Sequence, residues 1–206
     1  TSIGINGIAQ NNKNKGEEVL IPEYDLFDFG TYIYTQKTFD KATISGGVRF
    51  DSRNLDSKSF TEGNDVKFEA FTKSFSNFSA SAGLSYSATE NILLKLNIAR
   101  GFRAPSIPEL ASNGTHEGTN RYEYGEQDLV SETSWQGDLG FEINTDHVLF
   151  TATAFYNDIN NFIFYSRLPN SAGGDSLVLV DGELIQAFKF GQKSARLTGI
   201  EAFLDL

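Results

Sequence analysis

The sequence predicts an all-β fold: an antiparallel, up-and-down segment of a transmembrane β-barrel, with about eight strands, short turns at one end and long loops at the other. Three observations carry this. Apolar residues recur at every second position through eight separate stretches, the period of a strand with two unlike faces. The connections alternate strictly, three tight turns with four long polar loops, so all the long loops fall at one end of the sheet. The polar faces are mostly Thr, Ser, Gly and Asn with only single charges, which suits the wall of a filled lumen.

The alternation begins weakly in residues 1–10 and 25–39 and is clearest in 41–53. There Ala42, Ile44, Gly46, Val48 and Phe50 oppose Thr43, Ser45, Gly47, Arg49 and Asp51. Residues 76–87 set Phe78, Ala80, Ala82, Leu84 and Tyr86 against Asn77, Ser79, Ser81, Gly83 and Ser85. In 91–103, Ile92, Leu94, Leu96 and Ile98 oppose Lys95, Asn97, Ala99, Gly101 and Arg103. In 131–144, Trp135, Leu139, Phe141 and Ile143 oppose Ser134, Gln136, Asp138 and Glu142. In 147–157, Val148, Phe150, Ala152, Ala154 and Tyr156 oppose Thr151, Thr153 and Asn157, and a last weak strand spans 187–206. Asp40-Lys41, Ala88-Thr89-Glu90 and Thr145-Asp146 read as tight hairpin turns. Residues 11–24, 54–65, 104–130 and 166–186 read as long loops, and no helix is expected anywhere.

Composition narrows the function. The 206 residues, with no linker or low-complexity tract, read as one domain, 1–206. Nineteen Gly, eighteen Phe and only four Pro suit a sheet with tight turns and an aromatic girdle, for which Phe50, Tyr86, Trp135 and Tyr156 stand at strand ends. Without Cys there is no disulfide, thiolate metal site or cysteine nucleophile. A net charge of −10 argues against nucleic acid, which demands a basic footprint. No apolar run approaches the length of a membrane-spanning helix. With no Met and no leader, the chain is expected to be a piece of a longer product. A soluble extracellular β domain binding carbohydrate or protein stays open as a competitor, as does a complete small eight-stranded barrel with a structural, adhesion or pore role.

One loop carries the most recognisable string. From Ala99 the chain reads A-R-G-F-R-A-P-S-I-P-E-L, then N-G-T-H-E-G-T-N-R-Y-E-Y-G from Asn113 and E-Q-D-L-V-S-E-T-S to Ser134. With A-F-Y-N-D-I-N-N-F-I from Ala154 and L-T-G-I-E-A from Leu197, this resembles the barrel of TonB-dependent outer-membrane receptors. The resemblance implies a plugged barrel of about 22 strands, of which this chain is roughly a third. It implies a non-enzymatic receptor in the Gram-negative outer membrane that binds a scarce nutrient (a ferric siderophore, haem or cobalamin) and imports it with energy relayed through TonB. Its implied partners are outer-membrane lipid, the small-molecule nutrient and the TonB complex, the last through a plug domain expected to be absent from this chain. The family's usual Lys-Pro before the strand-opening Glu is replaced by Val130-Ser131 before Glu132.

The candidate ligand-binding residues are Arg103, His116, Arg121, Tyr122 and Tyr124. Arg103 leaves its strand on the lumen side, where it is either a cation near the ligand vestibule or the partner of Glu109. In the longest loop, Arg121 and the two tyrosines offer stacking and pairing to an anionic chelate. The competing reading folds the loop on itself, with Arg121 on Glu123 or Glu126 and the tyrosines packed inward. His116 and Glu117 belong to the same loop, and Arg100 is expected to snorkel at the membrane interface. Asn157, Asp158, Asn160 and Asn161 mark a bulge or a lumenal hydrogen-bond network. Residues 51–62 fail as an EF-hand because Arg53 and Asp56 occupy its third and sixth positions. His116 and His147 fall at opposite ends of the topology and cannot share a metal, no catalytic motif occurs, and no cofactor is expected.

Overall fold

The computed structural model describes residues 1–16, 19–116 and 119–206. Eight long strands form the wall: β1 (Ser2–Asn12), β2 (Tyr24–Phe39), β3 (Ala42–Ser57), β6 (Phe71–Ser87), β7 (Ile92–Arg103), β10 (Glu132–Asn144), β11 (Leu149–Arg167) and β13 (Glu183–Asp205). Five short strands lie in the long connections: β4 (Phe60–Glu62), β5 (Asp65–Phe68), β8 (Asn113–His116), β9 (Arg121–Tyr124) and β12 (Leu177–Val180). The long strands pair antiparallel in chain order, so the up-and-down topology follows from the short turns.

Two expectations, the number of strands and the absence of any helix, need correcting. The described residues contain thirteen strands rather than about eight, because loops expected to be irregular carry paired strands of their own. The sheet is also open, running from β1 to β8 without closing, and so lends nothing to a complete eight-stranded barrel. Nor is the chain without helix. The five-residue α1 (Ile107–Ala111) begins after Ser106, has Pro in its first turn, and Glu109 accepts the Ser106 backbone N–H at 2.7 Å. One turn of helix is too short to show a 3.6-residue period, so the pattern that reveals strands could not reveal it.

Turn chemistry fixes the registers. Phe39 pairs with Ala42 around Asp40-Lys41, with Asp40 in the left-handed region at φ 45°. Val180 pairs with Glu183 around Asp181-Gly182, both at positive φ (48° and 88°), the geometry of a type I′ hairpin. In β11 the register slips between Ile159 and Phe162, with Asn161 at φ 57°, so the Asn-rich stretch is a bulge.

Register assigns the two faces. Across β2, β3, β6, β7 and β10, Ile33, Val48, Ala80, Arg100 and Trp135 align in one row and Thr35, Gly46, Ala82, Ile98 and Gly137 in the next. This face is apolar and open: Val48, Trp135 and Leu139 are each more than half exposed, a surface that water would penalise and acyl chains would not. The opposite face carries paired charge. Arg53 forks onto Asp28 (2.9 and 2.7 Å), Arg49 pairs with Asp51 and Asn6, and Lys95 meets Glu142 at 2.8 Å.

At the loop end of this inner face sits the buried cluster, formed by Tyr24, Leu55 and Phe75 of the wall with Ile107, Leu110 and Ala111 of α1, Leu129 and Ile163. The segment between β7 and β10 therefore folds inward onto the wall. No helix of the described residues is long and apolar enough to cross a membrane, which says nothing about crossing by strands.

Candidate ligand-binding cleft

The four long connections, far apart in sequence, converge on one cleft of about 700 Å³. Val19 and Leu20 come from the β1–β2 connection, Glu62 and Lys67 from the β4–β5 hairpin, and Gly114, Thr115, His116 and Tyr122 from β8 and β9. Val178 to Asp181 of the β12 hairpin close the fourth side. The volume lies in the range of small-molecule sites, and the walls mix aliphatic surface with a few hydrogen-bonding groups.

Asn113 ties three of these loops together. Its backbone N–H donates to the Leu20 carbonyl at 3.0 Å, its Nδ2 to the Lys67 carbonyl at 2.9 Å, and its Oδ1 accepts the Tyr122 hydroxyl at 2.9 Å. Gly114 permits the approach, since a Cβ there would lie 3.2 Å from the Val19 carbonyl oxygen. Burial pushes the Tyr122 and Tyr124 phenols above their ordinary values, so both rings present neutral hydroxyls. Lys67 is paired with Glu62 at 3.0 Å and His116 has Thr119 Oγ1 3.3 Å from its Nδ1. Among the described residues no group of His, Asp and Glu is arranged to hold a metal ion.

The structure brings two of the five candidates, His116 and Tyr122, to this cleft. Tyr124 packs on Tyr122 with ring centroids 4.9 Å apart. Arg121 is turned elsewhere: it meets Glu123 at 2.6 Å and stands 4.2 Å over the Tyr165 ring and 5.7 Å from Phe188. Glu123 is buried, so this pair and its aromatic cage anchor β9, which lies parallel to residues 186–189 of β13. Glu117 lies outside the described residues. His147 occupies the turn between β10 and β11, at the other end of the sheet from His116.

Arg103 sits apart, at the root of the loop. Its Nε and Nη2 fork onto Glu132 (2.9 Å each) while Nη1 holds Glu109 at 2.8 Å. Glu132 also accepts the Ile163 N–H, so one arginine links β7, α1, β10 and, through Glu132, β11. Burial raises the Glu109 carboxyl, but Arg103 and the Ser106 N–H outweigh it and hold the group below its ordinary value. Gln192 completes the anchoring: its Oε1 accepts the Val130 N–H at 3.0 Å and its Nε2 donates to the Val130 and Asn161 carbonyls at 2.7 and 2.8 Å. Sequence reasoning found neither Gln192 nor the Asn113 hub, since nothing in their local pattern marks a contact across dozens of residues.

The returning limb of the loop is packed tightly against α1. Gly125 donates its N–H to the Ser112 carbonyl at 2.7 Å, and a Cβ there would meet the Ala111 backbone nitrogen at 2.3 Å and the Leu110 carbonyl carbon at 2.5 Å. Because both obstacles are backbone, Gly125→Ala is expected to lift the returning limb off α1 at a cost of about 1–3 kcal/mol. Limited trypsin digestion of the folded receptor checks this, with new cleavage at Arg121 expected; wild-type resistance would show that α1 can yield.

Comparison with known proteins follows the same outline. The family model described as "TonB dependent receptor-like, beta-barrel" matches residues 4–206. A ferric enterobactin receptor of Pseudomonas aeruginosa is 34% identical over 109 residues, 48% of this chain and 15% of that protein. The TonB-dependent heme receptor A of Haemophilus influenzae is 28% identical over 153 residues, 69% of this chain and 20% of that protein. The chain thus spans a fifth or less of the length of these two relatives. Among solved structures, the Serratia marcescens hemophore receptor HasR, a double mutant in complex with its hemophore HasA and heme, superposes with a TM-score of 0.72 at 17% identity, covering 93% of this chain and 33% of that one. The copper transporter OprC does so with 0.68 at 16% identity, covering 88% and 27%. At these identities the structures speak to the fold alone. The inward-folded loop on a two-faced antiparallel wall and the match over residues 4–206 lead to one conclusion: the chain belongs to the TonB-dependent receptor β-barrel family.

Proposed function

We propose that this chain is a wall segment of a Gram-negative outer-membrane receptor that captures a scarce nutrient chelate at its loop end and imports it with TonB-supplied energy. In this reading residues 1–206 form a single barrel segment, part of a larger barrel, and the plug and TonB contacts lie elsewhere in the receptor. The observation that carries it is the convergence of all four long connections on one cleft of ligand size, above a wall whose outer face is apolar. The relatives point to the chemical class, since they are named for ferric enterobactin and for heme. His116 and Tyr122 are the cleft's assigned ligand contacts, with Tyr124 supporting the Tyr122 ring. Arg103 and Arg121 act on the ligand indirectly, by holding the loop that carries those contacts.

The test uses the full receptor in cells starved of iron, with ferric enterobactin, haemin and cobalamin as probes. Surface binding of one probe is expected to survive loss of TonB while its accumulation is abolished. His116→Ala with Tyr122→Ala is expected to weaken that binding about tenfold or more, the effect of losing a few polar and stacking contacts. Accumulation that persists without TonB, or binding of none of the three, would end this reading.

A further inference from the structure

The outer face of the sheet is not evenly covered. Between a raised row containing Phe50 and Phe78 and another containing Ile44, Leu84 and Leu96, the intervening side chains are small. Gly46, Ala80 and Ala82 form the floor, and Ile33, Val48, Ile98 and Trp135 the walls, of a trough of about 400 Å³ on the face that carries the exposed apolar side chains. The trough crosses β2, β3, β6, β7 and β10. Because barrel strands tilt by about 35–45° from the membrane normal, a line across them is inclined by a similar angle, and an acyl chain can follow it.

At the loop-side margin stands a cation. Arg100 is the cross-strand neighbour of both Ala80 and Trp135, and its guanidinium lies 4.2 Å over the Phe78 ring. Its Nη1 donates to Asn77 Oδ1 at 3.0 Å and to the Phe78 carbonyl. Among the described residues it meets no carboxylate, whereas Arg196, a second arginine of this face, has Asp158 at 3.3 Å. A cation on an apolar surface without an acid partner calls for an anion from its surroundings.

We propose that this trough is a specific lipid site, in which one acyl chain lies on Gly46, Ala80 and Ala82 and a phosphate on the same lipid pairs with Arg100. The site rests on the membrane placement proposed above. A lipid phosphate presents two oxygens that the planar guanidinium fork can hold together, and the aromatic face of Phe78 holds that guanidinium in place.

The experiment is native mass spectrometry of the full, delipidated receptor in mild detergent, titrated with dioleoyl phosphatidylglycerol or with dioleoylglycerol, which has the same chains and no phosphate. One phosphatidylglycerol per receptor is expected to be retained at least tenfold more strongly than dioleoylglycerol. Arg100→Gln is expected to remove that preference, and Arg100→Lys to restore most of it. Ala82→Leu, which fills the floor without touching the charge, is expected to weaken both lipids at least tenfold. Millimolar inorganic phosphate is expected to displace neither; displacement would make the site one for free phosphate and overturn the proposal. Equal retention of the two lipids, or wild-type retention by both Arg100→Gln and Ala82→Leu, would also overturn it while leaving the receptor reading intact. A receptor that partitions into water without detergent would instead overturn the membrane placement.

Discussion

Leu110→Ala is expected to release the inward-folded loop while leaving the wall intact. Leu110 is 1% exposed and belongs to the cluster that joins α1 to Tyr24, Leu55, Phe75 and Ile163. Truncating a leucine so placed removes its transfer free energy and leaves a cavity, together about 2–5 kcal/mol. The loss falls on one small satellite core, since the long strands are held by their own ladders. Hydrogen exchange within residues 104–130 is therefore expected to accelerate by at least tenfold, with β6, β7 and β10 unchanged. Leu55→Ala, from the wall side of the same contact, is expected to do the same, because either truncation opens one interface. Unchanged protection of the loop in both variants would mean that polar anchoring alone suffices, and the cluster would lose its assigned role.

Arg103→Ala tests that polar anchoring. Removing the guanidinium leaves Glu132 and Glu109, whose side chains are only 12% and 15% exposed, facing each other without a cation. Breaking a fully buried pair costs about 3–5 kcal/mol, but Arg103 is itself 44% exposed, so about 2–3 kcal/mol is expected here. Arg103→Lys keeps the charge and loses the fork, and is expected to recover less than half of the difference. Protonation should act in the same sense as removal. Glu109 is held below its ordinary value of 4.5 in the fold, so its stabilisation is present above that pH and lost as pH falls through the depressed folded value. Glu126, held down by Lys189 at 2.8 Å and the Asp128 N–H, adds a second contribution of the same sign. Protease sensitivity of the loop is expected to rise below about pH 4.5 in the wild type and to depend less on pH in Arg103→Ala. Identical acid profiles for the two proteins would remove Arg103 and Glu109 from the anchoring.

The two arginines that the sequence offers as ligand contacts show how far from a residue its partners in the fold can lie. Arg121 and Arg103 are rare cations in a loop of an acidic chain, which draws attention to both. Their partners, Tyr165 and Phe188 for one and Glu132 for the other, lie dozens of residues away or across a strand pair. Glu109, six residues from Arg103, and Glu123, two from Arg121, are close enough in sequence to be suggested as partners, and both are.

Alternating faces, tight turns and loop lengths determined the antiparallel order of the wall, because those signals are local: side-chain direction flips at every residue and a two-residue turn fixes its own register. Two short hairpins carry the same local signals inside the segments 54–65 and 166–186, whose length and polarity read as loops. Leu177 to Val180 before Asp181-Gly182, and Phe60 to Glu62 before Gly63-Asn64, carry strand residues against turn residues. What only the tertiary structure decided is where the loops go. The seating of α1 under Leu55 and Phe75, the parallel docking of β9 on β13, the Gln192 clamp and the Asn113 hub join segments distant in sequence. Their registers are set by burial and by satisfying backbone groups at the meeting point, and no local period records either.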